Sequence, residues 1–276
     1  MSNPVFSNSP AFSPKAAQRQ AARDAAAAAV PVPTAAELDA HLALPDATAA
    51  QMDRMSYEDT IVKTAVSFLV LVAGAAIGWF FPIVLFPALI VGLVLGLVNS
   101  FKREPSPALI LIYSLAEGAL VGAVSAWYNQ AFGSGIVPMA VFGTLGVVAV
   151  TLALFASGKV RASKRATKIF LVAIVGYLAF SVVNLGLMLF GVTKSMNGLR
   201  DVVIPGTSIP LGVPLGILVV IMAAYSLVID FDFVQRGVQS GQPRRYGWTA
   251  AFGIVVTVVW LYLEILRLLS YFMPRN

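Results

Sequence analysis

The sequence contains no cysteine, a single histidine and few charged side chains. Without cysteine it can form neither a disulfide scaffold nor a thiolate metal site, and His41 has no second histidine for a metal or catalytic cluster. Only 12% of the 276 residues are charged, where soluble domains average about 25%. Too few polar side chains are present to cover a water-soluble domain of this length, so we expect lipid to surround most of the chain.

Sequence patterns of several enzyme and receptor classes are also missing. Neither His-Glu-x-x-His nor Gly-x-Ser-x-Gly occurs, and there is no Gly-x-Gly-Asp sequence of an intramembrane aspartyl protease. The last apolar stretch contains no lysine that could form a retinal Schiff base. We therefore expect a protein that is not an enzyme and that has no cofactor.

Seven apolar stretches fill the chain from Thr60 onward, and each is long enough to cross the hydrocarbon layer, which takes about 20 helical residues. A transmembrane barrel would show alternating apolar and polar residues instead. We predict an all-α integral membrane protein, with a seven-helix domain over residues 60–276. The stretches are approximately 60–81, 83–101, 107–128, 135–157, 169–192, 210–234 and 249–272.

Residues 1–59 differ from the rest in composition, being rich in Ala, Pro, Ser and Asp with a net negative charge. They lack the basic start, apolar core and cleavage site of a signal peptide. Such a segment buries too little apolar surface to fold, so we predict a disordered cytoplasmic tail.

The basic residues of the remaining chain are distributed unevenly between alternate loops. Ten of them lie in the loops at 102–103, 159–168 and 236–245, and three lie on the other side. Because basic loops resist translocation, we expect a cytoplasmic amino terminus and an external carboxyl terminus, in a bacterial plasma membrane. Apolar runs interrupt the basic residues, so we expect no nucleic-acid partner.

Four Gly-x-x-x-Gly pairs occur inside the apolar stretches. Such pairs let helix backbones approach closely in lipid, although glycine is also simply common in membrane helices. In either case they favour a tight bundle. The pairs are Gly74 with Gly78, Gly92 with Gly96, Gly118 with Gly122, and Gly212 with Gly216.

Five ionisable residues lie within the apolar stretches, namely Glu117, Asp230, Asp232, Glu264 and Arg267. Each costs about 3 kcal/mol to place in hydrocarbon, so we expect these side chains to face the bundle interior and to pair. Four acids share one deep arginine, and crowded carboxylates out of water cannot all ionise together. The sequence therefore predicts a proton-sensitive site.

The individual acids have different expected environments. Glu264 and Arg267 are three residues apart on one helix and can neutralise each other, which would be a purely structural role. Asp230 and Asp232 point about 200° apart on a helix, so both cannot face the centre. We expect Asp230 in the cavity and Asp232 near the cytoplasmic mouth beside Arg236.

The sequences Ile229-Asp230-Phe231-Asp232 and Leu261-Tyr262-Leu263-Glu264 resemble two conserved segments of the Bax inhibitor-1-like family, also called the transmembrane Bax inhibitor motif family. The likeness extends over the whole membrane part and is to the bacterial branch. It implies a calcium-permeable leak with a proton-sensing acid pair near the cytoplasmic side, which maps to Asp230 and Glu264. The resemblance also implies an arginine from another span that pairs with the two acids. Spans two and three offer no such arginine here, so we expect Arg267 to take this role. We expect Glu117 to be a third acid of the same network.

The depth of the seventh helix decides whether this pair can form. If the helix begins at Trp248, Glu264 lies about 24 Å deep, too far from Asp230, which is about 9 Å deep. If residues 246–252 lie along the membrane interface and the helix begins near Gly253, Glu264 is about 16 Å deep and within reach.

Two functions from different classes fit these observations best, and a proton-coupled exchanger is a third alternative. The first is a pH-sensitive Ca²⁺ leak in which Asp230 and Glu264 bind the ion weakly, because few carboxylates are offered to a cation that prefers six to eight oxygens. The second is a regulatory protein that binds another membrane protein, such as a protease, through its tail and transports nothing.

Overall fold

The computed structural model describes residues 18, 34, 52–193, 195 and 197–274. Within these residues the chain forms seven helices long and apolar enough to cross a membrane and no β-strand, which confirms the predicted all-α fold. Two short 3-10 turns, Pro82–Val84 and Gly198–Asp201, accompany them. The helices are α1 (Tyr57–Phe80), α2 (Leu85–Phe101), α3 (Pro107–Phe132), α4 (Ile136–Ala156), α5 (Lys164–Leu189), α6 (Gly212–Gln239) and α7 (Tyr246–Leu269).

Several helices extend beyond the apolar stretches because capping groups, not hydropathy, set their ends. The side chain of Ser163 accepts a hydrogen bond from the N–H of Ala166, so α5 begins at Lys164 and not near residue 169. α3 ends where Gly133 adopts a φ of +90°, a conformation that favours glycine. Polar and basic residues at the helix ends are thus part of the helices.

The predicted close approach of glycine pairs is confirmed between α1 and α3. A side-chain carbon added at Gly74 or Gly78 would overlap a backbone oxygen of α3, and one added at Gly118 or Gly122 would overlap a backbone oxygen of α1. The two pairs face each other, so these backbones are in direct contact. This seam makes α1 and α3 the tightest helix pair of the bundle.

Helix α7 is the centre of the bundle, because α1, α3, α4 and α6 all pack on it. Its Val255, Leu261 and Leu266 are fully buried in the apolar core. Helices α2 and α5 lie at the periphery: α2 packs on α3, and α5 rests on α6 and the 198–201 turn. The bundle interior is therefore built around α7, which carries Glu264.

The two ends of the bundle differ in charge. At one end, here called the basic end, α2, α4 and α6 finish and α3, α5 and α7 begin, and the basic loops lie there. The connection over residues 190–211 lies at the opposite end.

Most of the predicted disordered tail, residues 1–59, lies outside the described residues. The described residues 52–56 run against the α6–α7 loop at the basic end. The N–H of Met55 donates to the carbonyl of Gln242 (2.7 Å), and the N–H of Arg244 donates to the carbonyl of Asp53 (2.8 Å). Met55 itself is 1% exposed. We refer to the paired segments 53–55 and 242–244 as the clasp.

Candidate functional site

Asp230 lies on α6 with its carboxylate turned toward α7. Its Oδ2 accepts a hydrogen bond from Thr257 Oγ1 at 2.7 Å, and Thr257 is in turn 3.3 Å from the hydroxyl of Ser226. A side-chain carbon added at Gly253 would stand 3.0 Å from Asp230 Oδ1. The glycine therefore leaves the space that this carboxylate occupies.

An open cavity of about 770 Å³ lies between α2, α6 and α7 at the basic end, and Asp230 is one of its walls. We call this cavity the vestibule. Its inner lining is largely apolar and its rim is basic. Its lining includes Asn99, Ser100, Lys102, Arg103, Ile229, Asp230, Phe233, Arg236, Thr249, Phe252 and Gly253. The structure thus places the predicted cavity acid in a cavity that is open at one end.

Asp232 has a different environment from Asp230, as predicted. It forms an ion pair with Arg236 at 2.8 Å, and the Arg236 side chain is 67% exposed. The predicted position of Asp232 beside Arg236 is therefore confirmed.

Glu264 is the most buried acid of the bundle, at 1% exposure. Its Oε1 accepts from Arg200 Nη1 at 2.7 Å, and its Oε2 accepts from Arg267 Nη1 at 2.7 Å and from the Tyr177 hydroxyl at 3.0 Å. Arg200 also donates to the Tyr177 hydroxyl at 2.7 Å. The predicted pairing of Glu264 with Arg267 is confirmed, and a second arginine joins it. We call these four residues the arginine cluster.

Arg200 reaches the arginine cluster from the 3-10 turn Gly198–Asp201. The side-chain oxygen of Asn184 accepts from the N–H of Leu199 at 2.6 Å, which fixes the turn against α5. Gly198 has a φ of +63° and lies directly on Asn184, where another residue would clash. Arg200 is consequently 4% exposed although it belongs to a loop.

Arg200, Tyr177 and Thr257 are the site residues that the sequence prediction missed. Arg200 lies in the connection between two apolar stretches, so the cost of placing a charge in hydrocarbon does not indicate it. The signal that could have indicated it is the excess of four acids over one deep arginine. Such an excess calls for a further cation from outside the spans.

Asp230 and Glu264 do not pair with each other in this structure, contrary to the expectation from the family resemblance. Asp230 is level with Gly253 on α7, and Glu264 lies 11 residues further along the same helix. This separation is about 16 Å along the axis. The physical reason is that α7 is helical from Tyr246 onward, so residues 246–252 are the first turns of the helix and not an interface segment. Asp230 is near the basic end, and Glu264 is near the opposite end.

Glu117 faces α2 and belongs neither to the vestibule lining nor to the arginine cluster. Its Oε2 lies 2.7 Å from where a side-chain carbon of Gly92 would stand, so the glycine again leaves space for a carboxylate. Glu117 lines a separate cavity of about 310 Å³, which shares Ser100 and Phe252 with the vestibule. Across the described residues it has neither an ion pair nor a hydrogen bond to its carboxylate.

Two groups outside the helices have shifted protonation equilibria. Burial and the negative charge of Asp201 raise the pKa of the Tyr271 phenol, which is beside the arginine cluster. The hydrogen bond and charge of Asp59 raise the pKa of the Arg244 guanidinium in the clasp. Both shifts keep these groups in their ordinary protonation state, so neither supplies a proton near neutral pH.

The arrangement can offer a cation only a few ligands at any one point. In the part of the chain that the structure describes, no group of three or more His, Asp or Glu side chains converges. At Asp230 the available oxygens are one carboxylate and the hydroxyls of Thr257 and Ser226. Such a set would bind Ca²⁺ weakly, with water as the remaining ligands.

Comparison with known proteins gives one family. Curated protein sequences show no significant match to the chain. The family model described as Bax inhibitor 1 like matches residues 3–274, which is nearly the whole sequence. The chain therefore belongs to the Bax inhibitor 1 like family.

Proposed function

We propose that this protein is a passive, proton-sensitive pathway for cations, with Ca²⁺ as the permeant ion and the basic end facing the cytoplasm. The observation that carries the proposal is the position of Asp230, a carboxylate that lines an open vestibule at the basic end and has no cation bonded to it among the described residues. Membership of the Bax inhibitor 1 like family is consistent with it. The proposal involves no catalysis and no resident cofactor.

Asp230 acts in this proposal as the cation-attracting group of the vestibule. When ionised, it draws a cation from the rim toward α7, and the hydroxyl of Thr257 contributes a second oxygen. When Asp230 is protonated, that attraction is lost. Binding by so few oxygens is weak, which suits permeation because an ion held tightly does not leave.

The arginine cluster acts as the closure of the opposite end. Arg200 and Arg267 place two positive charges beside Glu264, and the turn that carries Arg200 packs on α5 and α6. A cation approaching from the vestibule would meet these guanidinium groups and be repelled. Passage therefore requires the Arg200–Glu264 bond to open, which moves the 198–201 turn away.

The test is Ca²⁺ influx into dye-loaded liposomes that contain the purified protein, measured over a range of pH. We expect Asp230→Asn to lower influx and to flatten its dependence on pH. Asp232→Asn is the matched control, since it is the same substitution two residues away; by freeing Arg236 at the rim it should change the size of influx but not its dependence on pH. If Asp230→Asn leaves the pH dependence of influx unchanged, Asp230 does not have the proposed role.

A second candidate, a regulatory membrane protein without transport, is favoured by the clasp. The clasp ties residues 53–55, near the end of the predicted tail, to the α6–α7 loop, so a partner bound to the preceding residues would act directly on this loop. Deleting residues 1–51 leaves the clasp intact and separates the two candidates. Retained influx in the deletion variant assigns transport to the bundle, whereas no influx at any pH in either protein favours the regulator.

A further inference from the structure

The rim of the vestibule carries more positive charge than its neighbours neutralise. Lys102 and Arg103, just beyond the end of α2, have no ion-pair partner among the described residues and are exposed. The nearby Glu104 does not neutralise them, because it pairs with Arg245 at 3.0 Å. Arg236 adds a third cation on the facing side, partly offset by Asp232.

Below this basic rim the wall of the vestibule is apolar apart from Asp230. Ile229, Phe233 and Phe252 line it, and Phe233 is 39% exposed. The polar side chains of Asn99 and Thr249 lie with the cations in the lining. The cavity therefore combines anion-binding groups at the height of the helix ends with an apolar surface nearer the middle of the bundle.

The side of the vestibule toward α2 is not closed by packing of α2 on α6. α2 packs chiefly on α3, and its buried residues are Ala88 and Gly92, so its last turns are not held against α6. A volume of about 770 Å³ falls in the range of roughly 300–1,000 Å³ typical of sites for organic ligands, and an inorganic anion would leave most of it empty.

We propose that the vestibule binds the phosphate-bearing headgroup of an anionic phospholipid. Lys102, Arg103 and Arg236 hold the phosphate, and the upper part of an acyl chain covers Phe233 and Ile229. Basic pockets between transmembrane helices on the cytoplasmic side are suited to anionic headgroups. The inference does not depend on the proposed ion pathway, because binding requires only the rim and the apolar wall.

A bound phosphodiester would also change the electrostatics of the vestibule. With an empty rim, the three cations oppose the approach of a positive ion to Asp230, whereas one bound phosphate offsets part of that charge. If the proposed ion pathway also holds, the lipid would then be a condition for cation access.

Native mass spectrometry of the purified full-length protein tests the proposal, with phosphatidylglycerol as the anionic probe and phosphatidylcholine as the zwitterionic one. We expect one retained phosphatidylglycerol and no comparable retention of phosphatidylcholine. Lys102→Gln with Arg103→Gln should reduce the affinity about thirtyfold, from the loss of two charges at the membrane surface. The matched control is Lys164→Gln with Arg165→Gln, which removes two exposed basic residues at the same end but outside the vestibule.

Three results would overturn the inference. Equal loss of phosphatidylglycerol in both double variants would mean general surface attraction and not a site. Phosphatidylcholine has the same phosphodiester but adds a quaternary ammonium, so its equal retention would mean that the vestibule does not select the net negative charge of an anionic headgroup. Displacement of the lipid by millimolar inorganic phosphate would assign the rim to a free anion. Circular dichroism of each variant verifies that the fold is retained, so a change in lipid binding reports on the rim.

Discussion

The arginine cluster predicts a large energetic coupling between Arg200 and Glu264. Glu264 is 1% exposed and Arg200 is 4% exposed, so neither charge has water to replace a lost partner. Glu264→Gln leaves the two guanidinium groups without a counter-charge and should cost about 3–5 kcal/mol of unfolding free energy. Arg200→Gln should cost less, about 1.5–3 kcal/mol, because Glu264 keeps Arg267 and Tyr177.

The double variant measures the coupling itself. Once Glu264 is neutral, Arg200 has lost its ion-pair partner, so adding Arg200→Gln should cost little more and the two losses should fall short of additivity by about 2 kcal/mol. The assay is equilibrium unfolding in mixed detergent micelles, followed by the helical circular dichroism signal. Arg267→Gln serves as the comparison, since its side chain is 30% exposed and should be coupled more weakly to Glu264. Additivity of Arg200→Gln and Glu264→Gln within about 0.5 kcal/mol would refute this account of the cluster.

Two further predictions concern the framework and are checked by the same unfolding assay. Gly78→Ala should destabilise the bundle by about 1–3 kcal/mol, because the new methyl group overlaps the backbone oxygen of Ala119. The control Gly176→Ala has open space and should be neutral or stabilising. Equal effects of the two substitutions would contradict the close α1–α3 contact. Met55→Ala should cost about 2–5 kcal/mol, because Met55 is 1% exposed, while Met52→Ala should cost little at 45% exposure. Equal losses of unfolding free energy in the two methionine variants would mean that burial of Met55 in the clasp does not stabilise the fold.

The number and order of the helices could be predicted from the sequence because lipid imposes a length on each span. The ends were less accurate: α6 continues to Gln239 and not to about residue 234, and α5 begins at Lys164. Hydropathy falls where charged residues begin, but helices continue through charged residues until a cap or a glycine ends them. The glycine pairs of α1 and α3 were identified correctly for a different reason, namely that close helix packing in lipid depends on small residues.

The site was predicted in part. The pairs Asp232 with Arg236 and Glu264 with Arg267 follow from spacing along one helix, and the structure contains both. Contacts between helices depend on how far one helix is shifted along the other. A resemblance between short sequence segments does not give this shift. The hairpin of α6 and α7 sets Asp230 against Gly253, far along the helix from Glu264.

The carboxylates consequently form two sites with different chemistry, where the sequence predicted one. Near the basic end, Asp230 is hydrogen-bonded by a hydroxyl and lines a vestibule. Near the opposite end, Glu264 is neutralised by two arginines, one of them from a loop. In the proposed pathway, a cation from the basic end reaches Asp230 before the arginine cluster.

The most direct test of the account is to block the vestibule covalently and measure Ca²⁺ influx. Because the chain contains no cysteine, Thr249→Cys places a single thiol in the vestibule lining, and Thr207→Cys places one in the exposed connection at the opposite end. We expect a positively charged methanethiosulfonate, applied to both faces of the liposomes, to suppress influx through the Thr249→Cys protein and to leave the Thr207→Cys protein unaffected. Complete labelling of Thr249→Cys with unchanged influx would contradict the claim that cations cross through the vestibule.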